Sequence, residues 1–332
     1  MLKPALLPLR ILISVIFLSS FVSAQNLPTF DDFRRVDRLR RATGQFQTAE
    51  LLQVTQIDRG LIQGVSRQAT NDYQIMWGAA ELIDAWPIKR EFFESALMLS
   101  RSNLEVVLRY ACAAAQNYDT DTAMPLLHAA EKGDSDNIVP WFVELQLLSD
   151  PKAFGPDALK NWKPPPLHAM RYRDYAAGAA WARIRTLEAA GYSAYSARRL
   201  GFVPDMPVLA MARACAEKPI DKSVAPMLLT MAHGMQDKPI YLVTELVGES
   251  LERATIAAGV DDPTDNGGSS RSAQLAERRD GIKALVSAME LKIVDLAAES
   301  EMVQYYDNVL SLGEEIAMHR LAGTIRGGQP LR

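Results

Sequence analysis

Two cysteines and four histidines in 332 residues leave little material for thiol or metal chemistry. His128, His168, His233 and His319 are scattered, and no two stand at the spacing of a metal-binding pair. On this basis no metal and no cofactor are expected. A phosphate loop, a dinucleotide fingerprint and a G-x-S-x-G elbow are all missing. So are alternating apolar and polar runs rich in Val, Ile and Thr, which excludes a β-rich fold. The chain also lacks a basic excess: its formal charge is −4. Nucleic-acid binding normally demands a basic face, so no nucleic-acid partner is expected. A carboxylate-based hydrolase needs two positioned acids, and 40 acidic residues spread over helical faces do not single out a pair.

What is present begins with an export signal. "MLKPALLPLR" carries Lys3 and Arg10 and no acid, and an uninterrupted apolar run "ILISVIFLSSFV" follows. "VSA" at Val22 to Ala24 then supplies a small-x-small cleavage pattern. Residues 1–24 read as a secretory signal peptide. The alternative is an uncleaved anchor, but the run falls short of the roughly 20 residues a spanning helix needs. After cleavage no membrane span is expected, and the protein should be periplasmic or secreted. Losing Lys3 and Arg10 takes the formal charge from −4 to about −6. In an oxidising compartment Cys112 and Cys215 could pair. Such a bridge would close a loop of about 100 residues and contribute about 4–5 kcal/mol. Two small buried thiols fit the Ala-rich surroundings equally.

Almost every mature segment reads as helix. Thr29 is a candidate N-cap with Asp32 three residues on, and acids fill the first turn. Asp31 and Asp37 stand four residues before Arg35 and Arg41, which predicts a solvated, salt-bridged face. Further helices are expected at 49–65, 71–85, 90–99, 104–116, 122–132 and 138–148. Short polar turns join them, so neighbours should run antiparallel. Then "SDPKAFGPDALKNWKPPPLHAM" places five prolines in one stretch. Pro164 to Pro166 must be extended, so 150–170 reads as a linker or packed crossing between two helical regions, 25–149 and 171–322.

Beyond it helices are expected at 172–190, 193–200, 206–217, 224–233 and 240–257, then a polar loop from Gly259 to Ser272. A long helix should carry Ile282, Leu285, Val286, Met289, Ile293 and Leu296 on one stripe. A single last helix spans about 302–322, before a tail at 323–332. Tyr172, Tyr175 and Trp181 form an aromatic stripe read as core packing.

Shifting the sequence by 34 residues superimposes Phe92 and Phe93 on Leu126 and Leu127, Ala96 on Ala130, Asn103 on Asn137, and Val107 on Trp141. Large, small and turn residues recurring in phase mark a repeat array. "AMPLLHAAEKGDSDNIVPWFVELQLL" resembles the junction between two tetratricopeptide repeats. Ala123 corresponds to the small residue opening a second helix, Ala130 to the close-packing alanine, and Trp141 to the aromatic of the next first helix. The resemblance spans about 90–148. Ser135 stands where the turn proline belongs, and Glu144 where a leucine belongs. It implies an all-α fold of stacked antiparallel helical hairpins, an α-solenoid in two halves.

A solenoid has a concave face built from the first helix of each repeat. On it the resemblance places Glu105, Leu108, Arg109, Cys112, Phe142 and Gln146. The function expected is binding of a protein or peptide partner, or scaffolding of an envelope assembly. The alternative is an all-helical envelope hydrolase whose acidic site the sequence does not identify.

Overall fold

The computed structural model describes residues 27–43, 55–154, 158–202, 207–218, 220–237, 239–259, 273–274, 276–284 and 297–325. The segment read as a signal peptide, the residues beyond 325, most of the segment 259–272 and the stripe from Leu285 to Leu296 lie outside them. Among the described residues the chain is all-α, with one isolated parallel bridge, Asn137 to Arg171, and no strand. No described helix is long and apolar enough to cross a membrane.

The first region contains α1 (Phe30–Thr43), α2 (Arg59–Gln68), α3 (Tyr73–Leu82), α4 (Trp86–Leu99), α5 (Leu104–Gln116), α6 (Thr120–Gly133) and α7 (Ile138–Ser149). Most of their starts are set by short polar side chains that satisfy the first free amides, whereas α4 follows Ala85 and opens with Pro87 in its first turn. Asp72 accepts from Gln74 N at 3.0 Å, Asn103 from Glu105 N at 2.8 Å and Asn137 from Val139 N at 3.1 Å. At α1 the expected reciprocal cap is formed: Thr29 N donates to Asp32 Oδ2 at 3.0 Å, and Asp32 N to Thr29 Oγ1 at 3.3 Å. The charge pattern of that helix differs from expectation. Asp37 turns inward and accepts from Arg199 at 2.8 Å, because Phe33 and Val36 bury the same face.

After the proline-rich segment come α8 (Ala176–Ala189), α9 (Ala194–Gly201), α10 (Pro207–Ala216), α11 (Ala225–Gln236), α12 (Leu242–Ala257), α13 (Glu299–Leu312) and α14 (Glu314–Ile325). The single last helix expected at 302–322 is two. Gly313 sits at φ +91°, a left-handed value that only glycine adopts cheaply. The following Glu314 N donates to Ile240 O at 2.8 Å, which docks the break on the approach to α12.

Consecutive helices pack in pairs: α3 with α4, α5 with α6, α11 with α12, and α13 with α14. Ala96 and Ala130 are fully buried and Trp141 partly so, as the repeat pattern requires. A stack in which each pair touches only its neighbours is not what forms, however. The packing of α3 on α8, across the proline-rich break, is as extensive as that within any consecutive pair. Gly78 makes that crossing close: a Cβ there would overlap Ala182 O and Thr186 Oγ1. One continuous core therefore includes Phe93 and Phe142 from before the break and Ile184, Met231 and Val309 from after it.

The chain leaving the break docks on the turn between α6 and α7. Ile138 N donates to Arg171 O at 2.9 Å and Arg171 N to Asp136 O at 2.7 Å. The Arg173 guanidinium bridges Asp134 and Asp136 at 2.5 and 2.7 Å. The turn between α6 and α7, which resembles an inter-repeat turn, thus serves as the anchor for the returning chain.

Candidate functional site

Four of the six residues expected on a concave face lie in the core. Leu108, Arg109, Cys112 and Phe142 are buried, each at most 2% exposed. The physical reason is the second region: α8 and α10 pack on α5, and α10 and α11 pack on α7, filling the groove a solenoid would leave open. Arg109 is held by Glu81. Gln146 is half-buried and hydrogen-bonds the Cys215 thiol. Of the two readings of the cysteines, the structure shows the unbridged one: Cys112 and Cys215 are both free. Burial pushes the Cys112 thiol up to about 12, so it behaves as a small apolar residue.

Glu105, also half-buried, opens onto a cavity of about 280 Å³ where the two regions meet. One wall is the segment from Tyr172 to Gly178. The other is the loop into α12, with Ile240, Tyr241 and Thr244. The local sequence explains how the walls are held apart. Asp174 accepts from the Tyr172 hydroxyl at 2.9 Å and from Ala176 N at 3.0 Å, starting α8. Tyr175 is left-handed at φ +55°, a conformation that costs about 1–3 kcal/mol for a residue with a Cβ. Its hydroxyl donates to Asp134 Oδ2 at 2.6 Å, which fixes the turn. Gly178 then leaves room for a carboxylate, because a Cβ would overlap Glu105 Oε2. Gly234 performs the same service for Tyr172, whose Cβ lies 2.7 Å from where a glycine substituent would stand.

The polar groups of this cleft are unbalanced. Burial pushes the Glu105 carboxyl above its usual range, with no cation offsetting it. Tyr241 is 1% exposed, and its buried hydroxyl has no hydrogen-bond partner. Its ring meets Phe202 edge-on at 4.9 Å. Arg173 lines the cleft but is committed to Asp134 and Asp136. The cleft therefore offers acceptors and aromatic surface and suits a donor-bearing, positively charged group.

Sequence reasoning read Tyr172, Tyr175 and Trp181 as one core stripe. The helix starts only at Ala176; Tyr172 and Tyr175 pack against the core and also line the cleft, while Trp181 is exposed. The signal available was "RYRDYAAG": an aspartate two residues before a helix start, flanked by tyrosines and followed by a glycine.

A second cluster also escaped notice in the sequence. His128 and Glu131 of α6 meet Glu144 of α7, with one ligand atom from each lying within 4.8 Å of the others. His128 Nε2 stands 3.3 Å from Glu144 Oε1, and Glu144 Oε2 accepts from Trp162 Nε1 at 3.0 Å. Burial, and then the charge of Glu144, push the Glu131 carboxyl up to about 8. Spacing of histidines alone cannot reveal a site that takes two of its three groups from glutamate.

No protein-family model, curated protein or solved structure matches the chain.

Proposed function

We propose that the chain is an exported, tetratricopeptide-like helical protein that binds an amine-bearing segment of a protein or peptide partner in the cleft between its two regions. The observation that supports this most is Glu105: a half-buried carboxyl without a cation, in a cavity lined also by Tyr172, Tyr175 and Tyr241. A buried acceptor of this kind is costly until a donor reaches it, and a charged donor gains about 1.5–3 kcal/mol. A lysine side chain or free amino terminus has the right charge, and its alkyl stem fits beside Tyr175 and Ile240.

The hydrolase alternative has one observation in its favour, the convergence of Glu131 and Glu144 beside His128. A purified chain inert toward ester, peptide and glycoside substrates removes it.

The binding reading is tested by calorimetric titration with a pool of lysine-containing hexapeptides and with the same pool after acetylation. The wild type should bind the free-amine pool and lose it on acetylation. Glu105→Gln should weaken binding about tenfold or more, in line with loss of one charge-assisted hydrogen bond. Equal binding by wild type and Glu105→Gln would refute the assignment.

A further inference from the structure

His128 and Glu131 stand three residues apart on α6 and so share one face of the helix, directly opposite Glu144 on α7. The three contribute one imidazole nitrogen and two carboxylate oxygens. Bonds of about 2.0–2.1 Å in a tetrahedral zinc site put neighbouring ligand atoms about 3.3 Å apart. His128 Nε2 and Glu144 Oε1 already stand at 3.3 Å, and closing the rest of the triangle from at most 4.8 Å needs only side-chain adjustment. Glu131 Oε1 is buried and has no hydrogen-bond partner. The Glu144 side chain is nine-tenths buried, and its second oxygen is held by the indole of Trp162. An outer donor on a ligating carboxylate is what orients a metal ligand. His128 is exposed, which leaves room for water to complete the coordination.

We infer that His128, Glu131 and Glu144 bind a divalent transition cation, with zinc the best fit to one imidazole and two carboxylates. Calcium and magnesium fit poorly because they take oxygen ligands. The two carboxylates would neutralise the ion, and the unpartnered Glu131 oxygen would gain its missing partner. Through Glu144 and Trp162 the ion would also tie α6 and α7 to the proline-rich crossing. This site is independent of the cleft proposed above.

The test uses the full mature chain, stripped with a chelator and titrated with zinc chloride in a calorimeter, with thermal melts in parallel. One equivalent should bind and raise the melting temperature. His128→Ala, at an exposed position that the fold tolerates, should lower affinity at least tenfold, and Glu131→Gln should do the same. His319→Ala, on α14, should bind as the wild type does. Absence of a zinc-dependent heat and melting shift would overturn the inference, meaning that the two glutamates share a proton instead. Unchanged binding by His128→Ala would overturn it equally, since zinc would then be adventitious.

Discussion

Arg109 grips Glu81 with two parallel hydrogen bonds, Nε to Oε1 at 2.8 Å and Nη2 to Oε2 at 2.6 Å, at the centre of the fold. Trp77 donates to the same carboxylate at 3.2 Å, and Arg183 stands 3.7 Å away. The pair joins α3 to α5, and Arg183 brings in α8. Breaking such a pair strands a buried charge, which costs about 3–5 kcal/mol, whereas replacing both partners with apolar groups costs far less. Glu81→Gln and Arg109→Met should each destabilise by that amount in urea denaturation. The double variant Glu81→Leu, Arg109→Met should be less damaging than either alone. Additive losses would contradict the coupling.

The same pair gives the fold an acid-sensitive contribution. Burial alone would raise the Glu81 carboxyl, but the charge and hydrogen bonds of Arg109, with Arg183 behind, outweigh it and bring the group down from 4.5 to about 2. A depressed folded-state value means the unfolded chain binds more protons as acid is added. The stabilisation is complete above about pH 4.5 and drains away as pH falls toward about 2. Denaturation midpoints of the wild type should fall across that window, and those of Glu81→Gln should fall less steeply.

Gly78→Ala would ordinarily favour a helix. Here the added methyl meets the Ala182 carbonyl and the Thr186 hydroxyl on α8, and a backbone atom cannot step aside. A loss of about 1–3 kcal/mol is expected from overpacking. A stabilised variant in chemical denaturation would mean that α3 and α8 do not cross closely.

Phe142→Ala separates the groove expected from the repeat from the core found in the structure. Phe142 is fully buried on α7, which α10 and α11 cover. Truncation should cost about 3–5 kcal/mol of stability, read from urea midpoints. A variant that folds with wild-type stability would restore Phe142 to an accessible face.

Much of the helical content was legible because apolar residues recur at helical intervals and Asp, Asn and Ser mark helix starts. Asn103 and Asn137 open α5 and α7 where a 34-residue shift superimposes them. The boundaries that failed have local causes: the left-handed Gly313 splits the last helix, and Asp174 delays α8 to Ala176. The site failed for a non-local cause. A 34-residue repeat implies contacts between sequence neighbours, whereas α8 returns over α3 and α5 through a pairing no local pattern encodes. Arg109 looks like a surface residue until Glu81, 28 positions earlier, is brought opposite it. Glu105, one turn before it, lines the cavity between the two regions.

Hydrogen exchange of the full chain, with and without the free-amine hexapeptide pool, tests the cleft most directly. Slowed exchange should concentrate at 172–178 and at 239–244, the two walls, and vanish with the acetylated pool. Binding that leaves both walls unchanged and protects α6, α7 or the outer faces instead would contradict the account.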